Sequence, residues 1–324
     1  MMRLATTLRA VSLTLAGIAF SGSAFAAAVA VDPAIPAYAQ VQGVSGAVNS
    51  IGSDTLNNLM TFWAEGFQAQ YPNVNIQIEG KGSSTAPPAL IEGTAQLGPM
   101  SRDMKKEEID AFEKKYGYKP TGIKVAIDAL AVFVHKDNPV KSMTMQQIDS
   151  IFSSTMKQGG KDIGDWGDIL PEWKGRAISV YGRNSASGTY GYFKENALKK
   201  GDFKSSVKEQ PGSSAVVQGV ASDQGSIGYS GIGYVTSSVH ALALGVTADK
   251  MAAANYDNCL NGTYPLSRFL MVYVNKKPGV AMDTSTKEFL KFVMSKEGQE
   301  IVVKDGFFPV PASVAAETIA TLEK

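Results

Sequence analysis

Arg183-Asn184-Ser185-Ala186-Ser187-Gly188-Thr189 is the stretch whose residue types and spacing offer the most chemistry. Ser187 and Thr189 bring hydroxyl donors, Gly188 lets another group come close to the backbone, and Arg183 presents a planar fork of N–H donors. Together they suit the capture of an oxyanion. Ala177-Ile178-Ser179-Val180-Tyr181 reads as a strand before the stretch, and Tyr190 to Leu198 as the start of a helix after it. The first turn of a helix has unpaired N–H groups and partial positive charge, which favour an anion. The same residues also read as a Ser/Thr-capped helix beside a surface arginine.

Earlier segments repeat this strand, small-residue loop and helix logic. Val48 to Ile51 reads as a short strand, followed by Gly52-Ser53-Asp54-Thr55 and then by a helix whose apolar face is Leu56, Leu59, Met60, Trp63 and Phe67. Val74, Ile76 and Ile78 alternate as a strand, and Gly80-Lys81-Gly82-Ser83-Ser84-Thr85 leads into Ala86-Pro87-Pro88, where a helix accepts proline in its first turn. This is not a Walker A loop, because Lys81 is followed by Gly82 and no glycine stands five residues before it. Gly98-Pro99-Met100-Ser101-Arg102-Asp103 reads as a polar turn before a charged helix from about Lys105 to Tyr116.

The elements that must position these loops alternate between strand and helix, so the expected class is α/β. Ile123 to Val134 reads as a buried strand or pair of strands interrupted by Asp128, and Leu266 to Val274 as another long apolar strand. Thr144-Met145-Gln146-Gln147 is a capping box opening a helix, and Ser213 to Val220 a further helix. Thr286 to Val303 reads as one amphipathic C-terminal helix. The two long apolar strands are candidate crossings between lobes. Lobe one would then be discontinuous, 46–129 with 268–324, and lobe two would be 130–267, with a ligand cleft between them and the crossing strands as hinge.

The 324 residues are 44% hydrophobic and 19% charged, which suits a globular protein with ample core. The first 26 residues carry only Arg3 and Arg9 as charges, an apolar run from Ala10 to Phe20 and Ala24-Phe25-Ala26. They read as a secretory signal peptide cleaved after Ala26, since the apolar run is too short to span a membrane. Losing Arg3 and Arg9 from 31 basic residues leaves 29 against 30 acidic ones, a net of −1. That balance argues against nucleic acid or an anionic membrane as partner. Cys259 is the single cysteine, so no internal disulfide or cysteine metal site is expected. Residues 27–45, rich in Ala, Val and Pro, read as a loose arm. We expect a periplasmic, soluble monomer.

Taken in order, Gly52 to Thr55, Gly82 to Thr85, Gly98 to Arg102 and Arg183 to Thr189 resemble the phosphate-binding proteins of ABC-type phosphate importers. Ile227-Gly228-Tyr229, Tyr264-Pro265-Leu266-Ser267-Arg268 and Asp305-Gly306-Phe307-Phe308-Pro309 are similar too, so the likeness covers nearly the whole mature chain. It implies a two-lobed periplasmic binding protein fold of type II that closes on one inorganic phosphate and docks to a membrane permease. It also implies donors at Ser53, Asp54, Thr55 and Ser83, and binding roles for Arg183, Ser187, Gly188 and Thr189. Ser101 stands where well-known members of that family carry an aspartate, and Arg102 beside it reads equally as a second cationic contact or as a partner of Asp54 or Asp103 that holds the loop.

An acidic acceptor matters because phosphate near neutral pH keeps a proton that sulfate lacks, and a buried carboxylate rewards the one and repels the other. Asp54 is the candidate for that role, against the plainer reading of a helix cap. An enzyme is not expected. Ser187 lacks the Gly-x-Ser-x-Gly elbow, the two histidines, His135 and His240, read as structural or surface residues, and no metal cluster or cofactor motif is present. The closest rival is a binding protein for sulfate or molybdate, followed by a secreted phosphatase-like hydrolase.

Overall fold

The computed structural model describes residues 29–324, and the expected signal peptide with its cleavage site lies outside the described residues. The chain opens with β1 (Gly46–Ile51), α1 (Asn57–Gln70), β2 (Val74–Glu79), α2 (Ala86–Glu92), β3 (Gly98–Met100) and α3 (Lys106–Tyr116). Helical spacing sets the buried face of α1, made by Leu59, Met60, Trp63, Ala64 and Phe67. Trp63 hides its ring completely and still satisfies its indole N–H on the carbonyl of Gly298, at 2.8 Å. Helix α2 takes proline in its first turn and ends on Gly93, whose φ of 73° fits a left-handed C-cap.

One long strand organises the rest. β4 (Thr121–His135) is a single strand of 15 residues rather than a pair, buried continuously from Val125 to Val134. Next come β5 (Ser142–Thr144), α4 (Met145–Phe152), β6 (Ser179–Arg183), α5 (Gly188–Asn196), β7 (Lys208–Gln210), α6 (Ser213–Ala221) and β8 (Ser226–Gly231). The chain continues through β9 (Val239–Ala241), β10 (Ala243–Gly245), α7 (Tyr256–Leu260) and β11 (Ser267–Val274), and ends with α8 (Thr284–Val293), α9 (Lys296–Lys304) and α10 (Ala312–Glu323). The main sheet runs β3-β11-β4-β8-β6-β7, with β9 also on β4, while β1 pairs in parallel with β2 and β10 with β5. The class is α/β, as expected.

β4 and β11 are antiparallel neighbours, with Arg268 opposite Asp128 and a register shift between Leu270 and Met271. They feed two cores. Ile123, Val125, Ala126, Leu270, Val272 and Val274 join the core that holds α1, α8, α9 and α10. Ile127, Ala129, Leu130, Val132, Val134 and Leu266 join the core around Phe152, Trp166, Phe193 and Tyr229. Each core therefore takes a different end of the same two strands.

Two expectations need correction. The Thr286–Val303 segment is not one helix: the Ser295 hydroxyl accepts from the Gly298 amide and starts α9 anew after α8. Residues 29–45 are not a loose arm either. Ile35 and Val44 are buried in the first core, the Tyr38 hydroxyl donates to Glu288 at 2.8 Å, and the Tyr38 amide donates to Glu297 at 2.8 Å. Composition alone hid these contacts, whose partners lie some 250 residues along the chain.

Candidate functional site

Four loops that leave the ends of β1, β2, β3 and β6 meet at one point. Gly52 is needed at the first because a Cβ there would strike the Pro99 carbonyl, and the neighbouring Ser53 amide donates to that carbonyl at 2.7 Å. At the second, Gly82 has a φ of 126° and donates its N–H to the Gly52 carbonyl at 2.8 Å, which ties the two loops together. Ser83 follows it into a short helical turn.

The side chains these loops carry form a buried cluster of hydroxyls. Ser53, Thr55, Ser83, Ser101 and Thr189 are each no more than 2% exposed. Ser53 Oγ donates to Ser101 Oγ at 3.0 Å, Ser83 Oγ lies 3.3 Å from Ser101 Oγ, and the Ser101 amide donates to Ser83 Oγ at 3.0 Å. Thr55 Oγ1 and Thr189 Oγ1 are 2.8 Å apart, and Ser101 Oγ is 3.4 Å from Thr189 Oγ1. Gly188 sits against this cluster, for a Cβ there would meet Ser101 Oγ at 2.7 Å and Ser83 Cβ at 2.8 Å. Ser84 reaches over to donate both its amide and its hydroxyl to the Ala186 carbonyl, at 3.2 and 3.0 Å.

Ser187 caps α5. Its oxygen accepts from the amides of Thr189 and Tyr190 at 3.1 and 3.3 Å, so two of the N–H groups of the first turn are used internally. The expectation that these amides point out unpaired is corrected for Thr189 and Tyr190, and Ser187 holds the helix end in place. Arg183, however, is no surface residue. It is 1% exposed, donates from Nη1 to Ser213 Oγ at 2.7 Å and from Nη2 to the Pro211 carbonyl at 3.2 Å. Asp54 Oδ2 is 3.1 Å from Nη1, and the Arg183 Nε is buried with no partner among the described residues. Burial draws the Arg183 pKa below its ordinary value, and the Asp54 charge opposes that shift.

Asp54 is not the cap of α1. Its Oδ2 accepts from the amide and the hydroxyl of Ser213 at 2.8 and 2.9 Å, as well as facing Arg183, whereas Oδ1 has no hydrogen bond among the described residues. Tyr234 adds a further link, its hydroxyl donating to the backbone carbonyls of Asp54 and Thr55 at 3.0 and 3.2 Å. Burial raises the Tyr234 pKa, so the group is a neutral donor here.

Arg102 does not join the cluster. Its fork closes on Glu108 at 2.8 and 2.7 Å, and it also donates to the Asp103 carbonyl at 2.9 Å. Burial by itself would raise the Glu108 pKa, yet the Arg102 fork and the Lys105 amide bring it below the usual range. The candidate role of Arg102 as a cation of the site is corrected on this geometry, because its donors are already aimed at Glu108 in the first turn of α3.

Three residues outside the expected set lie at the cluster. Ser213, at the start of α6, joins Asp54 to Arg183. Arg268 on β11 donates from Nη2 to Thr189 Oγ1 at 3.0 Å and from Nη1 to the Ser101 carbonyl at 2.6 Å. Asp128 on β4 takes both Nε and Nη2 of Arg268, at 2.9 and 2.7 Å. The signals for this pair were a lone aspartate inside an apolar strand and an arginine ending a quoted motif. Tyr229, fully buried and stacked 4.0 Å from Phe193, accepts the Arg183 amide through its hydroxyl and so supports β6.

A model of the PBP superfamily domain matches residues 37–297. The phosphate-binding protein PstS of Pseudomonas aeruginosa is 57% identical over 99% of this chain and 99% of its own length. SphX of Synechococcus elongatus is 32% identical over 85% of this chain and 80% of its own length. A Clostridium perfringens protein, described as a phosphate ABC transporter substrate-binding protein and solved with bound phosphate, superposes with a TM-score of 0.70. It is 29% identical, and the match covers 82% of this chain and all of that one. With these likenesses and its α/β sheet running through two cores, the chain belongs to the PstS family of phosphate-binding proteins, on the type II fold of the periplasmic binding protein superfamily.

Proposed function

We propose that this protein binds inorganic phosphate in the periplasm and hands it to the permease of an ABC-type importer, making and breaking no covalent bond. The observation that carries this reading is the meeting of hydroxyls from four separate loops, Ser53, Thr55, Ser83, Ser101 and Thr189, in one buried place, with Arg183 paired to Asp54 of the first of those loops. Those hydroxyls bond one another across the loops, and they are the donors an oxyanion takes over. The two lobes are 46–129 with 268–324 and 130–267, and rotation about β4 and β11 opens the cleft to admit the ion. Residues 29–45 pack on lobe one through Ile35, Val44 and Tyr38, and the protein acts as a monomer.

Donors fixed before the ligand arrives need little reorganisation, so affinity does not require a basic surface. The proton of hydrogen phosphate goes to Asp54 Oδ1, the one oxygen of that carboxylate left over by Ser213 and Arg183. Calorimetry on protein refolded free of phosphate tests the reading. We expect one phosphate per chain, displaced by arsenate and not by sulfate. Tighter binding of sulfate or molybdate than of phosphate, or hydrolysis of a chromogenic phosphate ester by the pure protein, would overturn it.

A further inference from the structure

We infer that Arg268, held by Asp128, is a positioning residue of the anion site: it commits the Thr189 hydroxyl to donate and fixes the Ser101 loop against the crossing strands. The inference rests on the proposed phosphate site and deepens it. Arg268 and Asp128 face each other in register on β11 and β4, with side chains 2% and 0% exposed. Two charges so deeply buried persist only when paired and fully hydrogen-bonded. Asp128 meets that demand: Oδ2 takes two donors from Arg268 and Oδ1 takes the Ile232 amide at 3.0 Å. Tyr192 lies beneath the guanidinium, its ring 5.3 Å away.

So clamped, the fork has donors to spare, and it spends them on the site. Arginine has no acceptor, so the Nη2 contact obliges Thr189 Oγ1 to accept. The Thr189 proton must then point away from Arg268, which leaves it for Thr55, Ser101 or an incoming anion. With one lone pair engaged by the guanidinium, the hydroxyl keeps its proton aimed away from Arg268, where an oxyanion can accept it. The Nη1 contact to the Ser101 carbonyl meanwhile holds the loop that carries Ser101. The pair therefore adds no net charge to the site but sets the direction of its donors.

A double-mutant cycle read by calorimetry tests this, using the full mature chain and inorganic phosphate. Because Arg268→Gln alone strands Asp128 as an unpaired buried charge, the paired change Asp128→Asn with Arg268→Gln carries the test, and Arg268→Lys serves as a charged control. We expect the pair to weaken phosphate binding about 30-fold while adding no more than about threefold once Thr189→Val is present, since both changes remove the same donor. Donors ignore the ligand's proton, so phosphate and sulfate should weaken alike and their ratio should hold. Arg268→Lys should recover only part of the loss, because one ammonium cannot hold three groups at fixed angles. Additive losses in the cycle, an unchanged affinity in the folded paired variant, or full recovery by Arg268→Lys would each overturn the inference. Failure of the wild-type protein to bind phosphate would instead sink the proposed function, and this inference with it.

Discussion

Gly188→Ala isolates what the close approach of the loops contributes. The added methyl would lie 2.8 Å from Ser83 Cβ and 2.7 Å from Ser101 Oγ, with Ser83 Oγ nearer still. An ordinary contact begins near 3.4 Å, so Ser83 Cβ must retreat by at least 0.6 Å. Side-chain rotation cannot supply that, because Cβ moves with a backbone tied to Gly52 through the Gly82 amide. The strand-end loops must therefore stay apart from α5. Contacts now at 2.8 to 3.4 Å between Thr189 and its partners on Thr55 and Ser101 then fall at or beyond the edge of hydrogen bonding. Loss of two donors to an anion costs about 3 kcal/mol, or roughly 100-fold in affinity. The backbone at Gly188 lies outside the left-handed region, so alanine meets no backbone strain there, and the cost to the unliganded fold is that of the packing clash, about 1–3 kcal/mol. Calorimetric titration beside a melting curve of phosphate-free protein is the assay. A Kd within about threefold of wild type, in folded protein, refutes the idea that these loops close on the ligand.

The other expectations are narrower. Asp54→Asn should reduce the preference for phosphate over sulfate by about tenfold or more, because the amide can donate to sulfate while the carboxylate cannot; competition calorimetry reads the ratio. Arg102→Ala should leave phosphate affinity within about threefold and lower the melting temperature modestly, since its fork serves Glu108 instead. Asp305 has a buried Oδ2 with no partner among the described residues, and burial pushes its pKa up to about 6. The folded state thus holds this proton more tightly than the unfolded state does, and the ionised carboxylate costs stability as pH rises through that range. Asp305→Asn should stabilise the protein by roughly 1–3 kcal/mol at pH 8, with the gain fading to nothing by about pH 4 in urea melts.

What the sequence made legible was local. A strand, a glycine and hydroxyl loop and a helix start recur within a few residues of each other, and that recurrence singles out Ser53, Ser83 and Thr189. Composition and periodicity likewise gave the α/β class. The unread part depends on partners far away in the chain. Asp128 and Arg268 are 140 residues apart and meet only because two antiparallel strands share a register, itself altered by a shift at Leu270 and Met271. Tyr38 looked loose for the same reason. Arg102 failed differently: its partner Glu108 is six residues away, and also accepts the Lys105 amide at the start of α3. A glutamate in the first turn of a helix is a local competitor for the guanidinium of an arginine just before it.

The site also bears on how a nearly neutral chain holds an anion. Both buried arginines at the cluster are already answered by a carboxylate, Arg183 by Asp54 and Arg268 by Asp128. Their positive charge is therefore not free to draw in any passing anion, and a site of that kind discriminates poorly against chloride or sulfate in any case. What remains for the ligand is a set of neutral hydroxyls with fixed direction, held by ion pairs that sit behind or beside them. A buried pair contributes little stability of its own after desolvation, so its presence here is better explained by the orientation it imposes. Selectivity then follows from the number and aim of the donors and from a single carboxylate oxygen, rather than from attraction at a distance.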